Sequence, residues 1–376
     1  QSFRMVKKNI MIPLFRVYMN PEVDEALLRV IHSGWIGQGE KVKEFESLLS
    51  EKFYNKYCLA LSAGTHGLHL ALRMLGIGKE DNVVTTALTC TATNWPILMQ
   101  GADIRWADIK KEDLNIDFVS MRSKINEKTK AVIVVHWGGY PCDMEEIYAI
   151  CSEREIPIIE DAAHAFGSTY RESIIGDCTY SDFTMMSFQA IKHLNCLDGG
   201  ALFCRYEDYY GRGKLLRWYG IDREGSRVDL RCGEDIKEFG YKYHMNDVCA
   251  TIGISNIKNI GNNLKVTKDN AKFYMDDLKG VSGIELIQTE QDRQSAYWLF
   301  TIYVEDRTGF ARKMGEKGIM VSRVHERNDK HSCVKEFKTD LPVLDEVIHR
   351  MICIPVGWWV SGEDRQYIVE SIKEGW

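Results

Sequence analysis

The sequence predicts an α/β protein, a mainly parallel sheet flanked by helices and followed by a smaller C-terminal α+β domain. Three observations carry this expectation. Short apolar runs of strand length alternate with helical patterns between Tyr57 and Cys204. Ala63-Gly64-Thr65, Asp161 and Ser187 all fall at the ends of such runs, where open α/β sheets bind their ligands. Near residue 245 the alternation stops and a long helical stretch begins. The chain is therefore divided into a large α/β domain over residues 1–245, with helices at its start, and a small α+β domain over residues 246–376.

The elements follow in order. Val23, Leu27, Leu28 and Ile31 repeat at helical spacing, as do Val42, Phe45, Leu48, Leu49 and Phe53, which predicts two amphipathic helices ahead of the sheet. Strands are expected over Tyr57–Leu61, Val83–Leu88, Ile104–Ile109, Ala131–His136, Ile156–Asp161, Phe183–Phe188 and Ala201–Cys204. Helices between them are expected over Thr65–Leu75, Thr91–Gln100 and Met144–Glu153. Beyond the boundary, Asp247–Leu278 reads as one long helical stretch containing Gly253 and Gly261. Apolar runs at Ile284–Ile287, Ala296–Val304 and Ile319–Val324 come next, with helical patterns near Gly309–Lys317 and Glu363–Ile372.

Composition narrows the function. The 376 residues are 45% apolar and 27% charged, ordinary for a globular protein. A net charge of −6 without a basic block argues against nucleic acid or an anionic membrane as partner. No apolar run approaches the roughly 20 residues that cross a bilayer. Eleven cysteines, none in C-x-x-C spacing, argue against a disulfide framework and against a zinc site. Reduced thiols and a cytoplasmic location are expected, with no metal. Gln1–Arg4 is treated as a remnant ahead of Met5 and excluded.

The most informative stretch is Thr184-Met-Met-Ser-Phe-Gln-Ala-Ile-Lys-His193, which runs on to Asp198-Gly-Gly200. It places Lys192 in a short segment between two apolar runs, 31 residues after Asp161, which ends another. A lysine able to form a Schiff base and a carboxylate at the end of a buried strand are the two groups that pyridoxal phosphate requires. The first holds the aldehyde carbon; the second keeps the pyridine nitrogen protonated, so that the ring accepts electrons. Alone, each is more often a solvated lysine or a helix cap. Leu61-Ser-Ala-Gly-Thr-His-Gly67 reads as strand, tight turn and helix, a phosphate site at Gly64 and Thr65 or a plain connection. Trp35-Ile-Gly-Gln-Gly39 is a substrate loop or an ordinary helix–helix loop. Asn246 or Asp247 caps the long helix, and the charge-dense run from Val321 to His331 is by default a solvated loop.

Taken in order, Ser62-Ala-Gly-Thr65, Ile159-Glu-Asp-Ala-Ala-His164, Ser187-Phe-x-x-x-Lys192 and Asp198-Gly-Gly200 resemble the DegT-type sugar-nucleotide aminotransferases, pyridoxal-phosphate enzymes of fold type I. The resemblance runs from Trp35 to Ile354-Pro355. It implies that Lys192 is the Schiff-base lysine and proton carrier and that Asp161 pairs with the pyridine nitrogen. His164 would lie beside the ring hydroxyl, and Gly64, Thr65 and Ser187 would hold the phosphate. Trp35, His193 and His325 would lie toward the substrate. The Trp35 loop and the segment from Gly240 to Asn246 usually reach the neighbouring subunit's site, which implies a homodimer with shared active sites.

Three positions depart from the family pattern. Cys90 stands where an aromatic ring commonly stacks on the cofactor. Lys242 replaces an Asn that touches the partner's cofactor phosphate, and serves that phosphate or a substrate phosphate as a point charge. The late loop is His325-Glu-Arg-Asn-Asp-Lys-His331 rather than a His-Tyr pair. The expected reaction moves an amino group from L-glutamate to a nucleotide-linked keto sugar. The rival readings are a nucleotide-sugar dehydratase, in which a histidine replaces the cofactor lysine, and a non-catalytic regulatory protein on the same fold.

Overall fold

The structure, a computed structural model, describes residues 11–225 and 235–376; Gln1–Arg4 and Met5 lie outside the described residues. Helices α1 (Val23–His32) and α2 (Glu40–Lys52) precede the sheet. Helix α2 buries Val42, Phe45 and Leu49, the i, i+3, i+7 stripe that its sequence spacing demands. Next come β1 (Cys58–Leu61), α3 (Gly64–Met74), β2 (Asn82–Thr86), α4 (Thr91–Met99), β3 (Asp103–Ala107) and α5 (Phe118–Lys124). They are followed by β4 (Thr129–Val135), α6 (Met144–Ser152), β5 (Ile158–Asp161), the short β6 (Thr169–Tyr170) and β7 (Ser173–Ile174), β8 (Phe183–Ser187), β9 (Gly200–Cys204) and α7 (Glu207–Leu216).

Seven of these strands form one sheet in the order β1-β9-β8-β5-β4-β2-β3. They are the seven strands expected from the sequence, with ends displaced by at most two residues. Pairs β8–β5, β5–β4, β4–β2 and β2–β3 are parallel, while β9 runs antiparallel to β1 and β8. Alternate residues of each strand enter different cores, as the two-residue repeat of a strand requires. Leu59, Ala131, Ile133 and Met185 join one apolar cluster; Cys58, Val132, Val134 and Met186 join the other. Each fully buried large side chain contributes roughly 1.5–3 kcal/mol.

The second half contains α8 (Asp247–Ile257), α9 (Ile260–Asp277), β10 (Ile284–Leu286), β11 (Arg293–Gln294), β12 (Phe300–Val304), α10 (Arg307–Glu316), α11 (Pro342–Val347), β13 (Met351–Ile354) and α12 (Gly362–Lys373). Strands β10, β12 and β13 make an antiparallel sheet whose apolar cluster also takes residues from α9, α10 and α12. No described helix is long and apolar enough to cross a membrane. The ten described cysteines are all free.

Three expectations need correction. The stretch Asp247–Leu278 is two helices, broken at Lys258-Asn259. The break falls in an Asn/Gly-rich run of low helix propensity; just before it, the Asn256 amide donates to the Asn195 carbonyl at 2.9 Å and accepts from the Asn20 N–H at 2.9 Å. Ile319–Val324 forms only isolated bridges, Ile12 with Ile319 and Ser322 with Cys353. The run Ala296–Val304 becomes a strand only from Phe300. Ahead of it, the Ala296 and Leu299 N–H groups donate to the carbonyls of Gly139 and Gly138. Those glycines sit at φ 96° and 62°, and a Cβ on Gly139 would meet the His164 carbonyl oxygen at 2.6 Å.

Candidate active site

The site forms at the carboxyl ends of the sheet strands. Register brings its parts together: Gly200 lies opposite both Leu61 and Ser187, and Asp161 lies between Val135 and Met185. Gly64 and Gly200 allow the closest approach. A Cβ on Gly64 would stand 2.8 Å from Met185 Sδ and 3.1 Å from Ser187 Cβ, and one on Gly200 would stand 2.6 Å from Gly64 N. Ala63, the residue capping α3, is extended and offers no side-chain cap. The first-turn N–H groups at Gly64 and Thr65 are therefore open toward an anion, with the Ser187 hydroxyl at the end of the neighbouring β8.

Asp161 is 5% exposed. Its Oδ2 accepts from the Thr93 hydroxyl at 2.6 Å and its Oδ1 from the Ala163 N–H at 3.1 Å. Burial pushes its carboxyl up from the ordinary range; Thr93, Ala163 and the nearby charges of Lys192 and His136 oppose the rise. Behind it, the adjacent Glu160 is buried and satisfied by His136 Nε2 at 2.7 Å, the Ser181 hydroxyl at 2.5 Å and the Thr184 hydroxyl at 3.0 Å. Two carboxylates of one strand thus take opposite faces, one spent on structure and one turned to the site.

The Lys192 backbone is held in a turn by the Gln189 carbonyl at 2.8 Å. Its Nζ lies 3.5 Å from the centroid of the Trp298 indole. Burial brings the amine down to about 7, against the raising influence of Asp161 and Cys90. A lysine in that range is available as a nucleophile and proton acceptor near neutrality.

Three imidazoles surround it. His164 stacks on Trp298 at 3.9 Å and lies parallel to His325 at 5.5 Å. Burial depresses His164 well below the usual histidine range, and brings His193 and His325 to about 4. All three are neutral near pH 7. Each keeps one buried ring nitrogen without a partner: His164 Nδ1, His193 Nε2 and His325 Nε2. Cys90, half-buried and free, begins α4.

The structure thus gathers Lys192, Asp161, His164, His193, His325 and Cys90, with Gly64, Thr65 and Ser187 forming the anion cup. It does not bring Trp35 or Lys242 to them. Trp35 is 82% exposed beside a groove between α1, α2 and α8, and the exposed Lys242 bridges Trp218. Neither makes a hydrogen bond, ion pair or ring contact with Lys192 or Asp161 among the described residues. Asn246 caps α8 through the Cys249 N–H, whereas Asp247 accepts from Gly39 and Val42 at the start of α2 and so anchors the Trp35 loop.

Several site residues escape a reading of the sequence. Thr93 lies one turn into α4 and gives no sign that it reaches Asp161. Trp298 lies inside an apolar run that reads as strand. The charge-dense late loop is not simply solvated: Asn328 is fully buried, accepts from Asn94 Nδ2 at 2.8 Å and donates to the Thr89 carbonyl at 2.8 Å. Those bonds dock the loop carrying His325 onto the segment carrying Cys90.

These groups suit pyridoxal phosphate: an open helix terminus in a glycine-lined cup, a buried carboxylate, a lysine of lowered basicity and an unpaired imidazole nitrogen. The comparisons with known proteins agree. The chain is 42% identical to AtS13 from Actinomadura melliaura, whose crystal structure superposes with a TM-score of 0.94 over 97% of this chain and 99% of that one. It is 39% identical to the sugar aminotransferase CalS13 from Micromonospora echinospora, also with a TM-score of 0.94, over 97% of this chain and 100% of that one. A Methanocaldococcus jannaschii protein, MJ1066, is 32% identical over 96% of this chain and 97% of its own length. The profile of the DegT/DnrJ/EryC1/StrS aminotransferase family matches residues 18–373. With its sheet, its cup and its half-buried lysine, the chain belongs to that family and is a pyridoxal-phosphate-dependent transaminase of fold type I.

Proposed function

We propose that the protein transfers an amino group from L-glutamate to a keto sugar linked to a nucleoside diphosphate, giving an amino sugar. The observation that carries this reading is the Lys192 amine, which rests on the Trp298 ring and is brought down to about 7 by burial against the opposing charge of the buried Asp161. Similarity to CalS13, named a sugar aminotransferase, supports the acceptor class. The bound cofactor supplies an electron-accepting ring on which carbanion character at the substrate carbon is tolerated.

The chain's own residues then have distinct roles. Lys192 would hold the cofactor's aldehyde carbon and, when free, its amine would serve as the proton acceptor and donor beside the substrate carbon. Asp161, whose carboxylate form Thr93 and Ala163 favour against the larger effect of burial, would hold the proton on the pyridine nitrogen. His164 Nδ1 is free to meet the ring hydroxyl, while Gly64, Thr65 and Ser187 take the phosphate. His193 and His325, neutral and each with one open nitrogen, position polar groups of the sugar without adding charge. Cys90 would present a thiol where an aromatic ring commonly stacks on the cofactor.

The reading includes a homodimer with shared sites. Leu28, Ile31, Trp35 and Ile36 form an exposed apolar run on α1 and the loop after it, an arrangement suited to a second copy of the chain. Trp35 and Lys242 would act across that contact, Lys242 on the partner's cofactor or substrate phosphate. A cytoplasmic location and the division at residue 245 belong to the same proposal. Lysine rather than histidine at position 192 favours amine transfer over dehydration.

The test is mass spectrometry of enzyme incubated with cofactor, L-glutamate and a panel of 3-keto and 4-keto nucleotide sugars. An amine product from one member supports the reading. Loss of water from a sugar, or 2-oxoglutarate formation with no sugar accepted, contradicts it.

A further inference from the structure

Trp298 lies among the apolar side chains between the two halves of the protein and is 5% exposed. Its burial there would need no further explanation, but two contacts set it apart. The indole face carries Lys192 Nζ at 3.5 Å from the ring centroid, well inside the range in which a cation is attracted to an aromatic face. The indole edge donates from Nε1 to the carbonyl of Ile191, the residue before that lysine, at 2.9 Å. One side chain therefore grips both ends of the lysine, its amine and its backbone. The indole also stacks with Phe15 at 4.9 Å and with His164 at 3.9 Å.

The charge balance makes the ring face matter. The groups facing the Lys192 amine are Asp161 at the end of β5, the Cys90 thiol ahead of α4, and the imidazoles of His164, His193 and His325. The imidazoles are neutral near pH 7, so Asp161 is the one carboxylate among them. In the reading proposed above, Asp161 is engaged by the pyridine nitrogen. A released lysine ammonium must then be stabilised by something other than a carboxylate.

We propose that Trp298 is a positioning residue for Lys192: its indole face is where the amine rests whenever that amine is not bonded to the cofactor, and its N–H fixes the backbone turn carrying the lysine. The face attracts the ammonium form and so opposes the loss of the proton that burial promotes. The lysine is kept within reach of both of its tasks, bonding the cofactor and returning a proton to the substrate. An aliphatic side chain there would offer the amine no ring face.

The catalytic meaning of this inference rests on Lys192 being the cofactor lysine, but its test does not. Cofactor-free enzyme is acetylated competitively with isotopically labelled acetic anhydride between pH 5 and 10. Peptide mass spectrometry then gives the pH midpoint at which the Lys192 amine becomes reactive. Trp298→Leu should move that midpoint down by about 0.5–1.5 pH units, because a group that favours the charged form has been removed. Trp298→Phe, which keeps a ring face, should recover part of the shift. Because an indole this buried also supports the fold, fluorinated tryptophans placed at position 298 by amber suppression provide the shape-preserving control. They retain the N–H and weaken only the face, and the midpoint should fall stepwise with fluorine number. A midpoint indifferent to fluorination overturns the proposal, as does a phenylalanine variant displaced as far as the leucine variant. Failure of Lys192 to bond the cofactor would be read separately, by locating the cofactor on reduced holoenzyme.

Discussion

Replacing Thr93 by valine removes one hydroxyl of similar size from a fully packed position, and its effect can be worked out in advance. Thr93 is 1% exposed, and its hydroxyl donates to Asp161 Oδ2 at 2.6 Å. A hydrogen bond to a charged group is worth about 1.5–3 kcal/mol, which corresponds to roughly one to two pH units in the ionisation of Asp161. The donor favours the carboxylate, so its loss raises a pKa that burial has already raised. In the proposed reading, cofactor binding needs Asp161 ionised against the pyridine nitrogen. At pH values where Asp161 of the cofactor-free variant is protonated, pyridoxal phosphate should therefore bind about 10–150-fold more weakly than to the parent. The deficit should shrink as pH rises through the range in which Asp161 ionises, because both enzymes then present a carboxylate. Fluorescence titration of cofactor-free protein across pH 5–9 reads the dissociation constant directly. Thr93→Ser, which restores the hydroxyl, should recover most of the affinity. Equal affinities at the acid end, or a deficit independent of pH, would refute the reasoning and make Thr93 a packing residue.

Two further outcomes follow from the geometry. Lys192→Met should make the cofactor-free protein more stable below pH 7, with the gain vanishing toward pH 10. The native amine titrates near 7 and the unfolded one near 10.4, so between those values only the unfolded chain holds the proton and the parent gains stability as pH rises. Urea unfolding at pH 6, 8 and 10 checks this, and a pH-independent difference between the two proteins counts against it. Asn328→Ala leaves the buried Asn94 amide and Thr89 carbonyl without their partner and should cost about 1–3 kcal/mol in the same assay, whereas an unchanged midpoint would mean that the late loop is held by other contacts.

The sheet was legible because its strands are short apolar runs set between helical patterns, and because Asp161 and Ser187 mark where two of them emerge at one edge. Lys192 and Asp161 could be paired from order alone, since parallel strands bring their carboxyl ends together however far apart they lie in sequence. What stayed hidden depends on contacts across the fold. The break between α8 and α9 comes just after Asn256, which bonds to Asn20 and Asn195, partners more than 60 residues away. Strand β13 is not among the apolar runs that predict strands, and Trp298 falls in a run that becomes strand only two residues later. The late loop looked solvated because charge density says nothing of the buried Asn328 in its midst. Among the described residues Trp35 and Lys242 make no hydrogen bond, ion pair or ring contact with Lys192, so their proposed roles depend on a second copy.

The central claim is that Lys192 is the residue bonded to the cofactor. Borohydride reduction of the holoenzyme, followed by proteolysis and peptide mass spectrometry, tests it most directly. The account predicts a single pyridoxyl group, on the peptide containing Lys192, and none on a Lys192→Ala variant treated in the same way. A pyridoxyl group on another lysine of the parent enzyme, or no fixed cofactor at all, would contradict it.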